Sequence, residues 1–293
     1  MSERKKAVVF YHSPCSDGFA AAWCFWKKYG ADADYIPLNH TQLSAFVNSE
    51  HEWHYSRLSD KYQNIVFADI APHGKDIIEI FYGASVGVTV LDHHKTIIDS
   101  YADKGLNNRP TVVLDSTHSG AWLAWNYCFP DQPVPLLIQV VQDRDLWTWK
   151  IPDSAAYLAM LELSDFDFEK WDHFAYDIES EYAGSILAAG KAIVLYEQHK
   201  QNIMLINQHT LKVGGYELPA LTTAMYGSSL GNLMARTAPA AVTYYREPTG
   251  WYISLRSDAN NPEALDVSEI AKSYGGGGHK HAAGFRIEHL EDL

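Results

Sequence analysis

Short apolar runs typical of β-strands recur along the first half of the chain, and an acidic or histidine residue follows each of them. The runs are Ala7–Tyr11, Ile65–Phe67, Val86–Leu91 and Leu136–Gln142, and the polar residues after them are His12, Asp69, Asp92 and Asp143. The last run is either a strand or a buried helix, and a further short strand is predicted at Thr111–Leu114. Segments with a helical pattern separate the runs, which predicts an α/β fold with a parallel sheet and helices on both faces. Because ligands bind at the carboxyl ends of parallel strands, these polar residues are expected to meet at one edge of the sheet.

The second half of the chain has a different pattern. One long helix is predicted over 183–208, and separate strand and helix patterns follow it up to the last residue. We therefore predict three parts, with a larger α/β domain at 1–182, a linker helix at 183–208 and a smaller α/β domain at 209–293. The acidic and aromatic stretch 165–181 is predicted to be a helical surface segment.

Charge and hydropathy narrow the class of protein. The chain has 293 residues, and its 23 basic and 36 acidic side chains give a formal charge of −13. Such a surface repels long polyphosphate backbones, which argues against a protein that tracks along duplex DNA. No apolar run approaches the roughly 18 residues that suggest a membrane span, so we expect no membrane association and a cytoplasmic location. The cysteines Cys24 and Cys128 are expected to be buried apolar residues in a reducing compartment.

The triplet Asp92-His93-His94 is the strongest candidate for a metal site. Two imidazoles and a carboxylate stand directly at the predicted end of a strand. Carboxylates and imidazoles together suit Mn²⁺, Fe²⁺, Co²⁺ or Mg²⁺ better than they suit a thiolate-rich zinc site. A carboxylate shared by two ions would hold them about 3.5–4 Å apart, which is the arrangement used for phosphoryl transfer.

Four segments in this order carry a family resemblance. They are HSPCSDG, the Asp of VFADI, LDHHK, and the Asp of VVQDRD, and the later segment ends in YGGGGHKHAAGF. The chain resembles the DHH phosphoesterase superfamily, with its C-terminal DHH-associated domain and GGGH turn. That superfamily includes RecJ-like exonucleases, oligoribonucleases, dinucleotide phosphodiesterases, exopolyphosphatases and family II pyrophosphatases. The resemblance covers most of the chain, and it implies a two-metal hydrolase, with Mn²⁺ favoured and Mg²⁺, Co²⁺ or Fe²⁺ as alternatives.

The resemblance also implies roles for individual residues. By it, His12 binds a first metal, Asp17 a second, and Asp69 both, while His93 and Asp143 complete the second site. The resemblance assigns catalytic roles to Asp92, His93 and His94. Asp92 would support the site or assist the nucleophile, and His94 would face the scissile phosphate. A water between the two ions would lose its proton near neutral pH and attack phosphorus in line.

Two positions leave alternatives open. The family usually has two aspartates in its first motif, but here Cys15 replaces the first of them. Cys15 either ligates the first metal or fills space beside it. In the fourth motif either Asp143 or Asp145 is the ligand, and Asp143 fits the spacing of the family better.

The predicted substrate-binding residues lie mostly in the second half. The run Gly275–Gly278 is expected to form a turn whose backbone amides bind an anion, and Gly276, Gly277, Gly278 and His279 are assigned to substrate. Arg256 can grip a phosphate with two hydrogen bonds, and His94 completes the set. Lys95 is either a further contact or an ordinary solvated lysine.

The residues and the resemblance together favour a metal-dependent phosphodiesterase. The predicted substrates are short oligonucleotides or linear dinucleotides, which would be hydrolysed to nucleoside monophosphates. The alternative is a phosphomonoesterase or phosphoanhydride hydrolase that acts on 3′,5′-bisphosphorylated adenosine, polyphosphate or pyrophosphate. A non-catalytic nucleotide-binding module is the third reading, and Cys15 is the only feature that favours it. A homodimer is left open.

Overall fold

The computed structural model describes residues 4–48 and 55–293. The chain divides into two compact units, Met1–Val194 and Leu195–Leu293. The predicted division of roles between a catalytic part, a linker and a substrate-binding part stays a prediction.

A five-stranded parallel sheet forms the centre of the first unit. Its strand order is β2-β1-β3-β4-β5, and all of its neighbouring strands are parallel. The strands are β1 (Ala7–His12), β2 (Ala33–Leu38), β3 (Asn64–Ala68), β4 (Gly87–Asp92) and β5 (Val112–Leu114). The predicted runs in β1, β3, β4 and β5 are thus confirmed. The sequence pattern missed β2, which carries Pro37 and lies at the edge of the sheet, where a missing backbone donor is tolerated.

Helices cover both faces of this sheet, as predicted. They are α1 (Ser16–Tyr29), α2 (His40–Asn48), α3 (Tyr55–Leu58), α4 (Gly74–Gly83), α5 (Lys95–Ala102), α6 (Gly120–Cys128), α7 (Leu136–Asp145), α8 (Ser154–Leu161) and α9 (Phe168–Asp177). Alternate residues of β1 point to opposite faces. Val9 and Tyr11 pack with residues of α1, α6 and α7, whereas Val8 and Phe10 pack with residues of α4 and α5.

The run Leu136–Gln142 is helical, so Asp143 does not follow a strand as the sequence argument assumed. It lies in α7, and both Asp143 and Asp145 fall in the last turn of that helix. Periodicity cannot separate a short buried helix from a buried strand, because both appear as continuous apolar runs. The fourth acidic motif therefore reaches the edge of the sheet from a helix.

The helix α10 (Ala183–Met204) follows, and a 3-10 turn at Leu205–Asn207 continues it. The helix predicted over 183–208 is therefore present, and the boundary between the two units falls inside it. In the part of the chain that the structure describes, no helix is both long enough and apolar enough to cross a membrane.

The second unit has a six-stranded mixed sheet with the order β10-β11-β9-β8-β7-β6. Its elements are β6 (His209–Val213), β7 (Tyr216–Thr222), α11 (Gly227–Ala235), β8 (Ala241–Glu247), β9 (Gly250–Arg256), α12 (Val267–Ser273), β10 (Gly277–His279), β11 (Ala282–Ile287) and a 3-10 turn at Leu290–Asp292. Only β7 and β8 are parallel, and α11 connects them. The fold class is therefore α/β in both units, as predicted.

The predicted turn forms only at the start of the glycine run, where Gly275 has a φ of +76°. Gly277 and Gly278 belong to β10, which pairs with β11. A Cβ atom at Gly276 would lie 2.2 Å from the carbonyl oxygen of Gly284, and one at Gly278 would lie 2.5 Å from that of Ala282. Close packing of two backbones therefore explains these two glycines.

The predicted surface segment 165–181 contributes to the core. Trp171 of α9 is only 1% exposed, its ring lies 4.8 Å from that of Phe19, and its Nε1 donates to the carbonyl of Asp165 at 3.2 Å. The acidic residues around it masked this role in the sequence.

We expect Trp171→Ala to destabilise the protein by about 3–5 kcal/mol, because the change removes a large buried ring. Tyr176→Ala, on the same helix but 71% exposed, is the matched control and should change stability by less than about 0.5 kcal/mol. Denaturant unfolding of both variants measures the difference. Equal losses would contradict the assignment of α9 to the core.

Candidate metal centre

His12 ends β1, and the chain turns at once into α1. A Cβ atom at Gly18 would lie 2.2 Å from the carbonyl oxygen of His12, so only glycine allows the helix to start this close to the strand. Cys15 stands at the N-cap of α1 and Asp17 lies in its first turn. The turn therefore delivers an imidazole, a thiol and a carboxylate to the same edge of the sheet.

Asp69 follows β3 directly and is almost fully buried. Its backbone has a φ of +60°, in the left-handed region that few residues other than glycine adopt. The N-terminus of α6 approaches it closely, and a Cβ atom at Gly120 would lie 2.5 Å from the Cβ of Asp69. Such strained conformations persist where the surrounding structure imposes them, and they concentrate at functional sites.

The carboxylate of Asp17 binds the start of α6. It accepts a hydrogen bond from the backbone N–H of Gly120 at 2.6 Å and another from that of Ala121 at 3.1 Å. Amides at a helix N-terminus stabilise a negative charge. Each carboxylate oxygen has further acceptor capacity, so these bonds do not prevent Asp17 from binding a cation.

His93 lies among three carboxylates. Its Nε2 is 3.2 Å from Asp69 Oδ1, 3.5 Å from Asp145 Oδ2 and 3.8 Å from Asp17 Oδ2. On the other side of Asp69, Oδ2 lies 3.4 Å from His12 Nδ1. Asp69 is therefore the central carboxylate, with an imidazole on each side.

Two groups in the first unit have the composition of a metal site. Among the described residues, the ligand atoms of His12, Cys15 and Asp69 lie within 4.8 Å of one another, and so do those of Asp17, Asp69 and His93. Asp69 belongs to both groups, which is the relation expected of a carboxylate that bridges two cations. The thiol of Cys15 lies beside His12 and Asp69, where it could either ligate or fill space.

The electrostatics of the cluster suit a cation. Burial raises the pKa of Asp17 well above its usual value, and the carboxylates of Asp69 and Asp145 raise it further. Burial alone would lower the pKa of His93, but the surrounding carboxylates raise it to about 10. The buried atoms Asp69 Oδ1 and His12 Nδ1 also lack a well-formed hydrogen bond. A divalent ion would compensate the crowded negative charges and bind these atoms, so the residues present fit such a group.

Among the described residues, Asp143 has no contact with this cluster, so the geometry favours Asp145 as the ligand of the fourth motif. The two oxygens of Asp143 accept hydrogen bonds from Thr148 Oγ1, Lys150 N, Ile151 N and Ser154 Oγ, at 2.6–3.1 Å. These bonds hold the carboxylate in the segment that follows α7. Asp145, two residues later, contacts His93 instead. Sequence spacing left both residues open, because it could not show that α7 turns them to different sides.

Asp92 positions His94. Its Oδ1 lies 2.8 Å from His94 Nδ1 and also accepts the backbone N–H of His94 at 2.8 Å. Asp92 is fully buried. Burial lowers the pKa of His94, but Asp92 outweighs this effect and raises the pKa to about 9. The supporting role predicted for Asp92 agrees with this geometry.

His40 is a neighbour of the cluster that the sequence analysis missed. Its ring centroid lies 5.0 Å from that of His12 and 6.1 Å from that of His94. His40 comes directly after β2 and Asn39, much as His12 ends β1. The same strand-end signal would have identified it if β2 had been recognised.

The remaining predicted residues lie outside this cluster or in the second unit. Lys95 pairs with Asp99 at 2.5 Å on an exposed helix surface. Arg256 ends β9, and its guanidinium donates to Ser228 Oγ at 2.7 Å and to Ser254 Oγ at 3.0 Å. Among the described residues no carboxylate forms an ion pair with Arg256, and burial lowers its pKa. The substrate contacts assigned to Arg256, Gly276–Gly278 and His279 stay predictions.

Comparison with known proteins adds to this picture. Residues 220–293 match the family described as the DHHA1 domain. An uncharacterized protein of Acanthamoeba polyphaga mimivirus is 29% identical over 309 residues, which cover 97% of this chain and 68% of that protein.

Two solved structures are matched along most of this chain. A pGpG-specific phosphodiesterase from Vibrio cholerae is 13% identical with a TM-score of 0.48, over 98% of this chain and 95% of that one. RecJ in complex with Mn²⁺ from Thermus thermophilus is 15% identical with a TM-score of 0.47, over 97% of this chain and 49% of that one. Both TM-scores lie below 0.5.

In the first unit, carboxylates and imidazoles lie at the carboxyl edge of a parallel sheet. In the second unit, residues 220–293 match the DHH-associated domain that the sequence motifs predict for this part of the chain. Both observations support the resemblance to the DHH phosphoesterase superfamily.

We expect Asp145→Asn to weaken Mn²⁺ binding at least tenfold, because it removes a charge from the cluster. Asp143→Asn is the matched control two residues away. It should keep the Mn²⁺ affinity and instead lower the free energy of unfolding by about 1–3 kcal/mol, since Asp143 accepts four hydrogen bonds. Titration calorimetry with Mn²⁺ and denaturant unfolding measure the two effects. A larger loss of affinity in the Asp143 variant would restore Asp143 as the ligand.

Gly120→Ala tests the close approach of α6 to Asp69. The added methyl group must displace Asp69, so we expect a loss of about 1–3 kcal/mol in stability and weaker Mn²⁺ binding. Gly184→Ala is the control, because a Cβ atom there meets nothing within 4 Å. Unchanged Mn²⁺ affinity in the Gly120 variant would show that Asp69 does not bind the ion.

Proposed function

We propose that this protein is a metal-dependent phosphodiesterase that hydrolyses short oligonucleotides or linear dinucleotides to nucleoside monophosphates. One observation carries the proposal: the two groups of possible ligands share the buried carboxylate of Asp69. Phosphatases and nucleases use two-metal sites of this kind to hydrolyse phosphate esters.

The residues that would hold the metal are His12, Asp69, Asp17, His93 and Asp145, with Cys15 as the open position. Mn²⁺ is the ion we favour, since mixed carboxylate and imidazole ligands suit it, and Mg²⁺, Co²⁺ and Fe²⁺ are alternatives. When bound, a divalent pair supplies a nucleophilic water at neutral pH and neutralises charge on the phosphate.

The protein's own residues then orient the substrate. The hydrogen bond between Asp92 and His94 fixes the ring of His94, so that it can bind an oxygen of the scissile phosphate. His40 lies beside this ring and is a further candidate for contact with the phosphate. His94, whose pKa is raised to about 9, would act by positioning and charge, which supply most of the catalysis in phosphoryl transfer. Burial lowers the pKa of His40 to about 4, so His40 would act as a neutral hydrogen-bonding group.

The negative charge of the protein favours a short substrate. The formal charge of −13 disfavours long duplex DNA, whereas a dinucleotide carries few phosphates. In the second unit, Arg256 is hydrogen-bonded to two serines and has no carboxylate partner among the described residues. This preoriented guanidinium suits a phosphate group of the substrate.

An activity panel tests the proposal. Purified protein with Mn²⁺ is incubated with 5′-labelled dinucleotides, with oligonucleotides up to 20-mers, and with pyrophosphate and 3′,5′-bisphosphorylated adenosine. We expect the fastest turnover on the shortest oligonucleotides. Turnover of the last two compounds without any cleavage of dinucleotides would favour the phosphomonoesterase or phosphoanhydride alternative instead.

His93→Ala should lower the turnover of dinucleotides more than about 100-fold, because it removes the imidazole between three carboxylates. His173→Ala is the matched control, since His173 is an exposed histidine of α9. Chelation of the metal should abolish turnover, and added Mn²⁺ should restore it. Full activity in the His93 variant would refute the proposed site.

A further inference from the structure

The segment between α7 and α8 has an unusual backbone. Trp147, Trp149 and Asp153 all have positive φ values, of 54°, 48° and 62°. Bulky side chains rarely adopt this left-handed region, because Cβ then crowds the backbone. Asp153 tolerates this region, but the two tryptophans do not, so their conformation needs an external constraint, and strain of this kind concentrates at functional sites.

Asp143 supplies that constraint. Its carboxylate accepts hydrogen bonds from the Thr148 hydroxyl and the Lys150 amide through Oδ1. Oδ2 accepts from the Ile151 amide and the Ser154 hydroxyl. One nearly buried carboxylate thus fixes the segment from 148 to 154 in place.

The segment holds two indole rings toward solvent. Trp147 and Trp149 are each 39% exposed, and their rings meet edge to face at a centroid distance of 5.0 Å and an angle of 83°. Core packing does not account for a strained backbone that keeps two large apolar rings partly exposed. Arg144 is paired with Glu162, and Lys150 is exposed beside Trp149, so the surface offered here combines two aromatic faces with a cation.

The backbone that carries these rings lies close to the metal cluster. Trp147 follows Asp145 by two residues, which places their Cα atoms at most about 7.6 Å apart. The carboxylate of Asp145 contacts His93 at 3.5 Å. A nucleotide whose phosphate lies at the cluster could therefore reach this pair with its base.

We propose that Trp147 and Trp149 form a stacking site for a nucleobase of the substrate. This inference rests on the proposed function, because it takes the phosphate to lie at the metal cluster. Every base has a flat π-face, so stacking on indole selects nucleotides over plain phosphates without selecting a base sequence. The pair would then determine which class of phosphoester the enzyme prefers.

The test compares a ligand that has a base with one that does not. Titration calorimetry in the presence of Mn²⁺ measures binding of adenosine monophosphate and of ribose 5-phosphate. We expect wild-type protein to bind the nucleotide about tenfold more tightly or better, since stacking on one ring contributes about that factor. Trp147→Ala and Trp149→Ala should each remove most of this preference and leave ribose 5-phosphate binding unchanged.

Two further variants separate stacking from a structural role. Trp147→Phe and Trp149→Phe retain an aromatic face and should restore most of the preference, while Tyr176→Ala, an exposed aromatic of the same unit, should have no effect. Equal losses for both ligands, or no preference in the wild type, would overturn the inference. Turnover of dinucleotides is measured separately, so a protein that binds as expected but does not cleave them refutes only the proposed function.

Discussion

The hydrogen bonds from the Gly120 and Ala121 amides to Asp17 join the starts of two helices, α1 and α6, at the edge of the parallel sheet. The rest of the first unit depends on this contact. It brings α6 so close to Asp69 that only glycine fits at the first position of the helix. It also places amide dipoles beside a group of carboxylates that would otherwise repel one another. The acidic cluster is therefore part of the packing of this unit and is not added to a finished fold.

The two aspartates at the end of α7, Asp143 and Asp145, have different structural roles. Asp145 contacts the cluster, whereas Asp143 holds the segment that carries Trp147 and Trp149. One turn of helix thus fixes both the candidate metal site and the aromatic surface next to it. This arrangement explains why the chain has two aspartates so close together, since neither can take the place of the other.

Sequence alone predicted the class of fold, four strands of the parallel sheet, and the convergence of His12, Asp17, Asp69 and His93. These follow from strand periodicity and from the rule that strand ends of a parallel sheet meet at one edge. The direction of a side chain on a short buried helix does not follow, so Asp143 and Asp145 could not be distinguished. His40 was missed together with β2. The strand at Gly277 and Gly278 was missed because turns and tight strand packing both favour glycine.

The hydrogen bonds of Asp143 restrict insertions and deletions in the segment between α7 and α8. Four donors from positions 148 to 154 reach a single carboxylate, so the number of residues between them is fixed. An inserted or deleted residue there would leave a nearly buried charge without its donors. Surface loops usually tolerate such changes. Relatives of this protein that retain Asp143 are therefore expected to keep the length of this segment even where its side chains differ.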